Sequence, residues 1–104
     1  MVDNASALIV LQTATFRRWL LSLEDERARA RVAQRIKRAE MGNLGDIRSV
    51  GGGVLEMRVD YGPGYRVYCA RRNRLLVLLL CGGDKRTQPA DIKRAQRMVQ
   101  EIGP

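Results

Sequence analysis

Apolar residues near the start of the chain change from a strand-like run to a helical spacing. The segment SALIVLQT is apolar and rich in strand formers, so it predicts a first strand, and the threonines beside it suit the cap of a helix. From Thr15 onward the apolar residues recur at intervals of three and four, as one face of a short helix requires. These residues are Phe16, Trp19, Leu20 and Leu23.

A second helix follows directly. Asp25, after Ser22, can cap its first turn, and Gly42 is a natural stop. Its apolar stripe consists of Ala28, Val32, Ile36 and Ala39. The other faces of this helix are rich in arginine and lysine, and each single arginine is better explained by a solvated surface than by a specific contact.

The middle of the chain alternates between apolar and polar residues, as half-buried antiparallel strands do. The glycine-rich segment GNLGDIRSVGGG predicts a loop with at most a short strand at 46–50. VLEMRVDY and YRVYCA then predict a hairpin joined by a turn at 62–64. The predicted pairs are Tyr61 with Tyr65, Val59 with Val67, Met57 with Cys69, Asp60 with Arg66, and Arg58 with Tyr68.

The last third of the chain predicts a buried strand and a helix. LLVLLLC has no polar alternation, which indicates a central strand covered on both faces. Thr87 and Pro89 suit the start of a final helix. The apolar residues of that helix are Ile92, Ala95, Met98, Val99 and Ile102. The order of elements predicts a single α+β domain over residues 1–104.

The amino-acid composition limits the kinds of partner and binding site that the chain can have. The formal net charge of +8 favours an anionic partner, with nucleic acid as the first candidate. No apolar run is long enough to span a bilayer, and the start MVDNASALIV lacks the features of a signal peptide, so we expect a cytoplasmic protein without membrane binding. With two cysteines and no histidine the usual zinc site cannot be built, and the glycines do not match nucleotide-binding motifs. We therefore expect reduced thiols and no cofactor or metal.

The predicted hairpin gathers polar side chains on one face of the sheet. These are Glu56, Arg58, Asp60, Arg66 and Tyr68. If helices cover only the apolar face, the polar face is left as a shallow groove, and Lys85 reaches its edge after two glycines that remove side chains from around it. Arginines can grip phosphate oxygens and a tyrosine can stack on a base. The alternatives are a plain ion pair between Asp60 and Arg66, and surface packing of Tyr68.

Three motifs together connect the chain to a known family. GNLGD, GPGYRVY and GGDKRTQ, within a match over roughly residues 8 to 98, closely resemble the RelE/ParE superfamily of toxins, in particular the HigB-like addiction module killer branch. The resemblance implies a RelE-like fold, in which a curved, mainly antiparallel sheet is flanked by two N-terminal helices and a C-terminal helix. It also implies neutralisation by a cognate antitoxin, commonly a helix-turn-helix protein, and cleavage of mRNA in the ribosomal A site.

The resemblance also suggests roles for residues. Arg66 matches the arginine that contacts the scissile phosphate, Lys85 stands where relatives have a second basic residue, and Arg58 lies near the basic residues of the preceding strand. The tyrosine that follows the second basic residue in RelE has no counterpart in KRTQ, so Gln88 or Tyr68 is a candidate for that place.

Such a reaction does not require histidine. RNA carries its own nucleophile, the 2′-hydroxyl, so an enzyme has mainly to position the chain, accept a proton and stabilise charge on the phosphate. Arg66 is our candidate for stabilising that charge. For proton transfer the sequence leaves open Lys85, with a pKa lowered by neighbouring arginines, and Glu56 or Asp60 acting directly.

Two other functions fit the same fold. A toxin of the ParE kind would bind DNA gyrase without cutting RNA, and a basic RNA-binding protein would explain the charge without catalysis. Several basic residues converging on one phosphate-sized spot favour RNA cleavage over gyrase binding. A non-catalytic RNA-binding protein gives no reason for Lys85 to follow glycines at the end of a strand.

Overall fold

The computed structural model describes residues 7–103. Its elements are β1 (Ile9–Gln12), α1 (Ala14–Ser22), α2 (Glu26–Glu40), β2 (Ile47–Gly51), β3 (Val54–Val59), β4 (Tyr65–Arg71), β5 (Leu76–Gly83), a 3-10 turn (Lys85–Thr87) and α3 (Gln88–Ile102). The five strands form one sheet in the order β1-β5-β4-β3-β2, in which only the β1 and β5 pair is parallel. The α+β prediction and its order of elements are confirmed.

The first two helices begin at the caps that the sequence predicts. Thr13 caps α1: its Oγ1 accepts a hydrogen bond from the Phe16 amide at 3.0 Å and donates one to the Leu80 carbonyl at 2.7 Å, which ties the start of α1 to β5. Asp25 caps α2 by accepting a bond from the Arg27 amide at 2.9 Å.

Two sequence predictions extend outside the described residues. They concern the start of the first strand and the segment MVDNASALIV, on which the signal-peptide prediction rests.

Helices cover both faces of the sheet. On one face α1 and α2 bury a core that includes Phe16, Val32, Ile36, Met57, Val67 and Leu79. On the other face α3 packs on Val54, Tyr68, Ala70 and Leu80 through Ala95. Strand β5 is therefore covered on both sides, as its unbroken apolar run predicts. No helix within residues 7–103 is long and apolar enough to cross a membrane.

The prediction of an open polar groove is wrong for most of that face. Val54 and Ala70 lie on the same face as Glu56 and Tyr68, and with Leu80 they make a surface that is apolar enough for α3 to cover. Tyr68 and Glu56 are both 0% exposed as a result. Only the end of the hairpin nearest its loop stays accessible.

The β3–β4 hairpin differs from the predicted register by two residues. Val59 pairs with Tyr65, Arg58 with Arg66, and Glu56 with Tyr68, so the predicted pair of Asp60 with Arg66 does not form. A shift of two keeps every side chain on its predicted face, because faces alternate with a period of two. The loop is longer than the predicted turn and spans residues 60–64.

Tyr61 explains the longer loop. Instead of pairing with β4, its hydroxyl donates to Asp25 Oδ2 at 3.1 Å, and its ring lies 5.4 Å from the guanidinium carbon of Arg31. Gly62 and Gly64 complete the turn with φ angles of 56° and 79°, which glycine adopts most readily. Contacts with α2 therefore decide where the hairpin turns.

The cysteines are reduced and buried, as predicted, and lie in different cores. Cys69 belongs to the core under α1 and α2, and Cys81 to the core under α3. Burial raises the pKa of Cys69 to about 12 and that of Cys81 to about 11, so both thiols stay protonated at neutral pH.

Arg35 joins α2 to the sheet. Its side chain is buried, its Nε donates to the Arg58 carbonyl at 3.1 Å, and its Nη2 donates to the carbonyls of Asp46, at 3.2 Å, and Leu44. A Cβ on Gly45 would lie 2.9 Å from Nη2, so a glycine there makes room for the guanidinium. Burial, together with neighbouring Arg38, holds the pKa of Arg35 below its ordinary value.

We predict that Arg35→Ala destabilises the fold by about 3 kcal/mol, because the side-chain hydrogen bonds that join α2 to the carbonyls of Leu44, Asp46 and Arg58 are lost. Urea unfolding followed by circular dichroism measures the change. Lys37→Ala, an exposed position on the same helix, is the control and should change the free energy of unfolding by less than about 0.5 kcal/mol. Equal stability of the two variants would contradict the role of Arg35.

Candidate functional site

Glu56 is the centre of a buried polar network. Its Oε1 accepts a hydrogen bond from Arg48 Nε at 3.0 Å, and its Oε2 accepts bonds from the Tyr68 hydroxyl at 3.0 Å and from Gln88 Nε2 at 2.8 Å. The donors come from β2, β4 and the first residue of α3. One carboxylate therefore links three strands to the helix that covers them.

The network determines the protonation of its members. Burial alone would raise the pKa of Glu56, but the hydrogen bonds from Gln88, Arg48 and Tyr68 outweigh it and hold that pKa below its usual range. Burial and the neighbouring carboxylate raise the pKa of Tyr68. At neutral pH Glu56 is therefore an anion and Tyr68 a neutral donor. Because donors occupy both of its oxygens, Glu56 is poorly placed to take a proton from a substrate.

Arg66 lies between this network and the hairpin loop. Its side chain is 10% exposed, its Nε lies 3.8 Å from Glu56 Oε2, and its Nη1 donates to the Gly64 carbonyl at 2.6 Å. The buried Nε has no hydrogen-bond partner among residues 7–103. Carboxylate and loop carbonyl together restrict the guanidinium to one end of the sheet.

Lys85 is close to Arg66 in space. It begins the 3-10 turn after β5 and is exposed. A Cβ on Gly64 would lie 3.8 Å from Lys85 Cβ and 3.2 Å from Arg66 Nη1, so the base of the lysine side chain and the end of the arginine side chain both lie next to this glycine. The 3-10 turn is fixed by Asp84, whose side chain accepts a bond from the Arg86 amide at 2.8 Å.

The glycines before Lys85 make room for side chains of two helices, whereas the sequence predicts that they leave space around the lysine. A Cβ on Gly82 would lie 2.3 Å from the Trp19 ring, and one on Gly83 would lie 1.8 Å from Asp91 Oδ2. Both distances are far below van der Waals contact, so these glycines admit side chains from α1 and α3. They allow the helices to approach β5 from both faces and do not clear space around the lysine.

Two adjoining cavities open at this end of the sheet. The first, which we call the hairpin cavity, has a volume of about 330 Å³ and is lined by Arg58, Asp60, Tyr65 and Arg66, among others. The second, the helix cavity, has a volume of about 350 Å³ and lies between α2 and β3. They share Asp46, Arg58, Val59 and Asp60 in their linings, so they adjoin, and we call the two together the cleft.

The structure thus sorts the candidate residues into two groups. Arg58, Asp60 and Arg66 line the hairpin cavity, and Lys85 lies beside it. Glu56, Tyr68 and Gln88 form the layer beneath, in contact with one another. Asp60 is exposed in the loop, and Arg58 is bound to Asp46 at 3.0 Å with its side chain 51% exposed.

Sequence reasoning missed Arg48 and Asp46. Both lie in the glycine-rich segment, where the pattern indicates little regular structure. Arg48 pairs with Glu56 across β2 and β3, and Asp46 lies beside Arg58. The short strand predicted at 46–50 contains both residues and could have identified them. A turn at the three glycines that follow it, with β2 in register on β3, places Arg48 opposite Glu56.

No group of histidine, cysteine, aspartate or glutamate side chains is arranged to hold a metal ion in the part of the chain that the structure describes. The charged side chains at the cleft are instead mostly cationic, with Arg58, Arg66 and Lys85 around one small volume. Such an arrangement suits a phosphate or another small anionic group.

Comparison with known proteins places the chain in a family. Residues 18–100 match the family described as "Phage derived protein Gp49-like (DUF891)". The chain belongs to this family. Gp49-like proteins are part of the RelE/toxin-like group of addiction modules, in agreement with the resemblance seen in the motifs. A Haemophilus influenzae protein described as uncharacterized is 54% identical over 91 residues, which cover 88% of this chain and 92% of that protein.

We predict that Glu56→Gln lowers the stability of this Gp49-like protein by about 2 kcal/mol at pH 7, because charge-assisted hydrogen bonds are lost. The folded-state pKa of Glu56 lies below its ordinary value of 4.5, so its contribution is complete above that value and is lost as the pH falls through the folded-state pKa. The difference between wild type and variant should therefore shrink on acidification.

Urea unfolding at pH 7, 5 and 3 measures this difference. Glu101→Gln, an exposed position on α3, is the control and should follow the wild type at every pH. A difference between wild type and Glu56→Gln that is independent of pH would show that the carboxylate charge is not what stabilises the network.

Proposed function

We propose that this Gp49-like protein is the toxin of a toxin-antitoxin module of the HigB-like branch and that it cleaves mRNA on the ribosome. The observation that carries the proposal is the position of Arg66, whose guanidinium is restricted by Glu56 and Gly64 at the wall of a small cavity. A fixed cation of this kind stabilises charge that develops on a phosphate in the transition state.

Two further cationic side chains lie at or near the hairpin cavity. Arg58 is directly opposite Arg66 on the neighbouring strand, and Lys85 lies, like the Arg66 guanidinium, next to Gly64. Each guanidinium has one carboxylate beside it, Asp46 for Arg58 and Glu56 for Arg66, and an anion that binds between the two arginines would add a shared partner. A phosphodiester in the hairpin cavity would be that anion.

The proposed reaction uses the nucleophile of the RNA. The 2′-hydroxyl attacks the adjacent phosphate, and the 5′-oxygen of the next nucleotide leaves, so the enzyme supplies position, charge and proton transfer. Arg66 and Arg58 hold the phosphate oxygens. Lys85 and Asp60 are the groups near the cavity that can exchange a proton or orient the chain.

Glu56, Tyr68 and Gln88 take a different part in this proposal. Since Glu56 and Tyr68 are buried and both Tyr68 and Gln88 bond to Glu56, we assign the three to positioning Arg66 and not to contact with RNA. Gln88 and Tyr68, the two candidates for the place of the tyrosine in RelE, both bond to Glu56. The network thus extends from α3 to the proposed phosphate contact.

The charge of the chain also supports an antitoxin partner. A net charge of +8 favours a protein that presents acidic and apolar surface, and charge complementarity speeds association. We propose a cognate antitoxin of the helix-turn-helix type. Its site of contact is the cleft or the basic face of α2.

We predict that Arg66→Ala abolishes growth inhibition and slows mRNA cleavage a hundredfold or more, since one phosphate contact of this kind stabilises the transition state by about 3 kcal/mol. Arg74→Ala, an exposed arginine in the turn at the far end of β4, removes the same charge and should remain toxic. The measurements are growth after induction, mapped mRNA ends, and thermal melting of both variants.

A gyrase supercoiling assay, run in parallel, distinguishes mRNA cleavage from gyrase inhibition. Toxicity without new mRNA ends, accompanied by inhibited gyrase, would replace the proposal with gyrase inhibition. RNA binding without either effect would leave a non-catalytic RNA-binding protein. Undiminished toxicity of a folded Arg66→Ala variant would remove Arg66 from the site.

A separate prediction concerns Lys85. If it acts as a phosphate contact, Lys85→Arg should keep most of the cleavage rate while Lys85→Gln loses it, because arginine preserves the charge and offers more donors. We expect this result. Because Lys85 is exposed, neither substitution should affect folding.

Single-turnover cleavage on programmed ribosomes measures both rates. An arginine variant as slow as the glutamine variant would instead make Lys85 the proton-transfer group, since a guanidinium keeps its proton near neutral pH. Full activity of both variants would exclude Lys85 from the reaction.

A further inference from the structure

The helix cavity carries more cationic than anionic side chains. Four guanidinium groups line it, from Arg31, Arg35, Arg38 and Arg58, against the carboxylates of Asp46 and Asp60. One of these carboxylates, Asp46, is already bound to Arg58 at 3.0 Å. The remaining charge at the cavity is therefore positive, although the hairpin cavity alone accommodates the proposed phosphate contact.

The buried side chain of Arg35 is a second and independent observation that points to an anion in the helix cavity. Its side chain is only 4% exposed and all its hydrogen bonds go to backbone carbonyls, at Arg58, Leu44 and Asp46. Its Nη1 has no partner among residues 7–103. A buried charge is ordinarily paired with an opposite charge, and an anion in the adjoining cavity would supply one.

The position of the site favours a chain of nucleotides. The two cavities adjoin at the four residues that line both, so an RNA strand bound at Arg66 has the helix cavity beside it. A volume of about 350 Å³ is at the lower end of small-ligand pockets, enough for a phosphate with its sugar. Arg31, held against the Tyr61 ring, stands at the rim, where a guanidinium plane can stack on a base.

We propose that the helix cavity is a second phosphate-binding site, which holds the single-stranded RNA one or more nucleotides away from the scissile bond. The inference rests on the proposed function in that both sites take the same RNA. Arg31 and Arg38 contact the phosphate from α2, and Arg35 supplies a fixed positive charge behind them. The protein then grips an extended stretch of backbone without reading its sequence.

The test is RNA binding without cleavage. The probe is a 2′-O-methyl RNA octanucleotide, which lacks the attacking hydroxyl, and its affinity is measured by fluorescence anisotropy between 50 and 300 mM salt. The logarithm of the binding constant falls with the logarithm of salt by about 0.7 for each phosphate neutralised on a single strand. Arg31→Gln with Arg38→Gln should therefore reduce the slope by about 0.7, for the one phosphate that the helix cavity neutralises, and weaken binding at every salt concentration.

The matched control is Arg17→Gln with Arg18→Gln, which removes the same charge from exposed positions on α1. Its slope should stay within about 0.3 of the wild type. A 2′-O-methyl dinucleotide, with one phosphodiester for the hairpin cavity, should compete equally well in all three proteins. Equal slopes for the α1 and α2 variants would overturn the proposal.

Two other outcomes are equally decisive. If the α2 variant binds the octanucleotide like the wild type but loses affinity for the purified antitoxin, the helix cavity is a protein-docking surface and the proposal is wrong. If the wild type cleaves no mRNA and yet the α2 variant shows the reduced slope, the second phosphate site stands while the proposed activity fails. Binding and cleavage are thus tested separately.

Discussion

The buried carboxylate of Glu56 is the interaction on which the cleft depends. A charge without solvent is tolerated only where donors surround it, and here Arg48, Tyr68 and Gln88 converge on its two oxygens. These donors come from different elements, so the network forms only when β2, β4 and α3 are all in place. Arg66, 3.8 Å from the same carboxylate, is held in position by a completed fold.

A second constraint is the cationic character of the side chains near the cleft. Arg58 and Arg66 are cross-strand neighbours, and each has a carboxylate beside it, from Asp46 and Glu56. Arg35 instead bonds to backbone carbonyls, and its Nη1 has no hydrogen-bond partner among residues 7–103. Stability alone does not favour such a buried guanidinium. It becomes understandable if the cleft binds an anion, because proteins retain strained or uncompensated groups where function requires them.

The alternation of residues predicted the faces of the strands correctly and their register incorrectly. A displacement of two residues leaves the pattern unchanged, so no count of apolar and polar positions could distinguish the two pairings. The choice came from Tyr61, which bonds to Asp25 and packs against Arg31 on a helix distant in sequence. The sequence did not single out Arg48 for a related reason. Arg48 lies opposite Glu56 only because β2 pairs with β3, and β2 lies in a glycine-rich segment.

The sequence by itself determined the elements, their order, the caps of the first two helices, the buried central strand, the reduced cysteines and the cationic residues near the end of the β3–β4 hairpin. These follow from local periodicity, turn chemistry and composition, which act over a few residues. Tertiary structure alone decided that α3 covers the second face, that Glu56 and Tyr68 lie beneath the cleft, and that α2 forms one of its walls. Those outcomes depend on contacts between distant segments, in which burial of Val54, Ala70 and Leu80 outweighs the polarity of their neighbours.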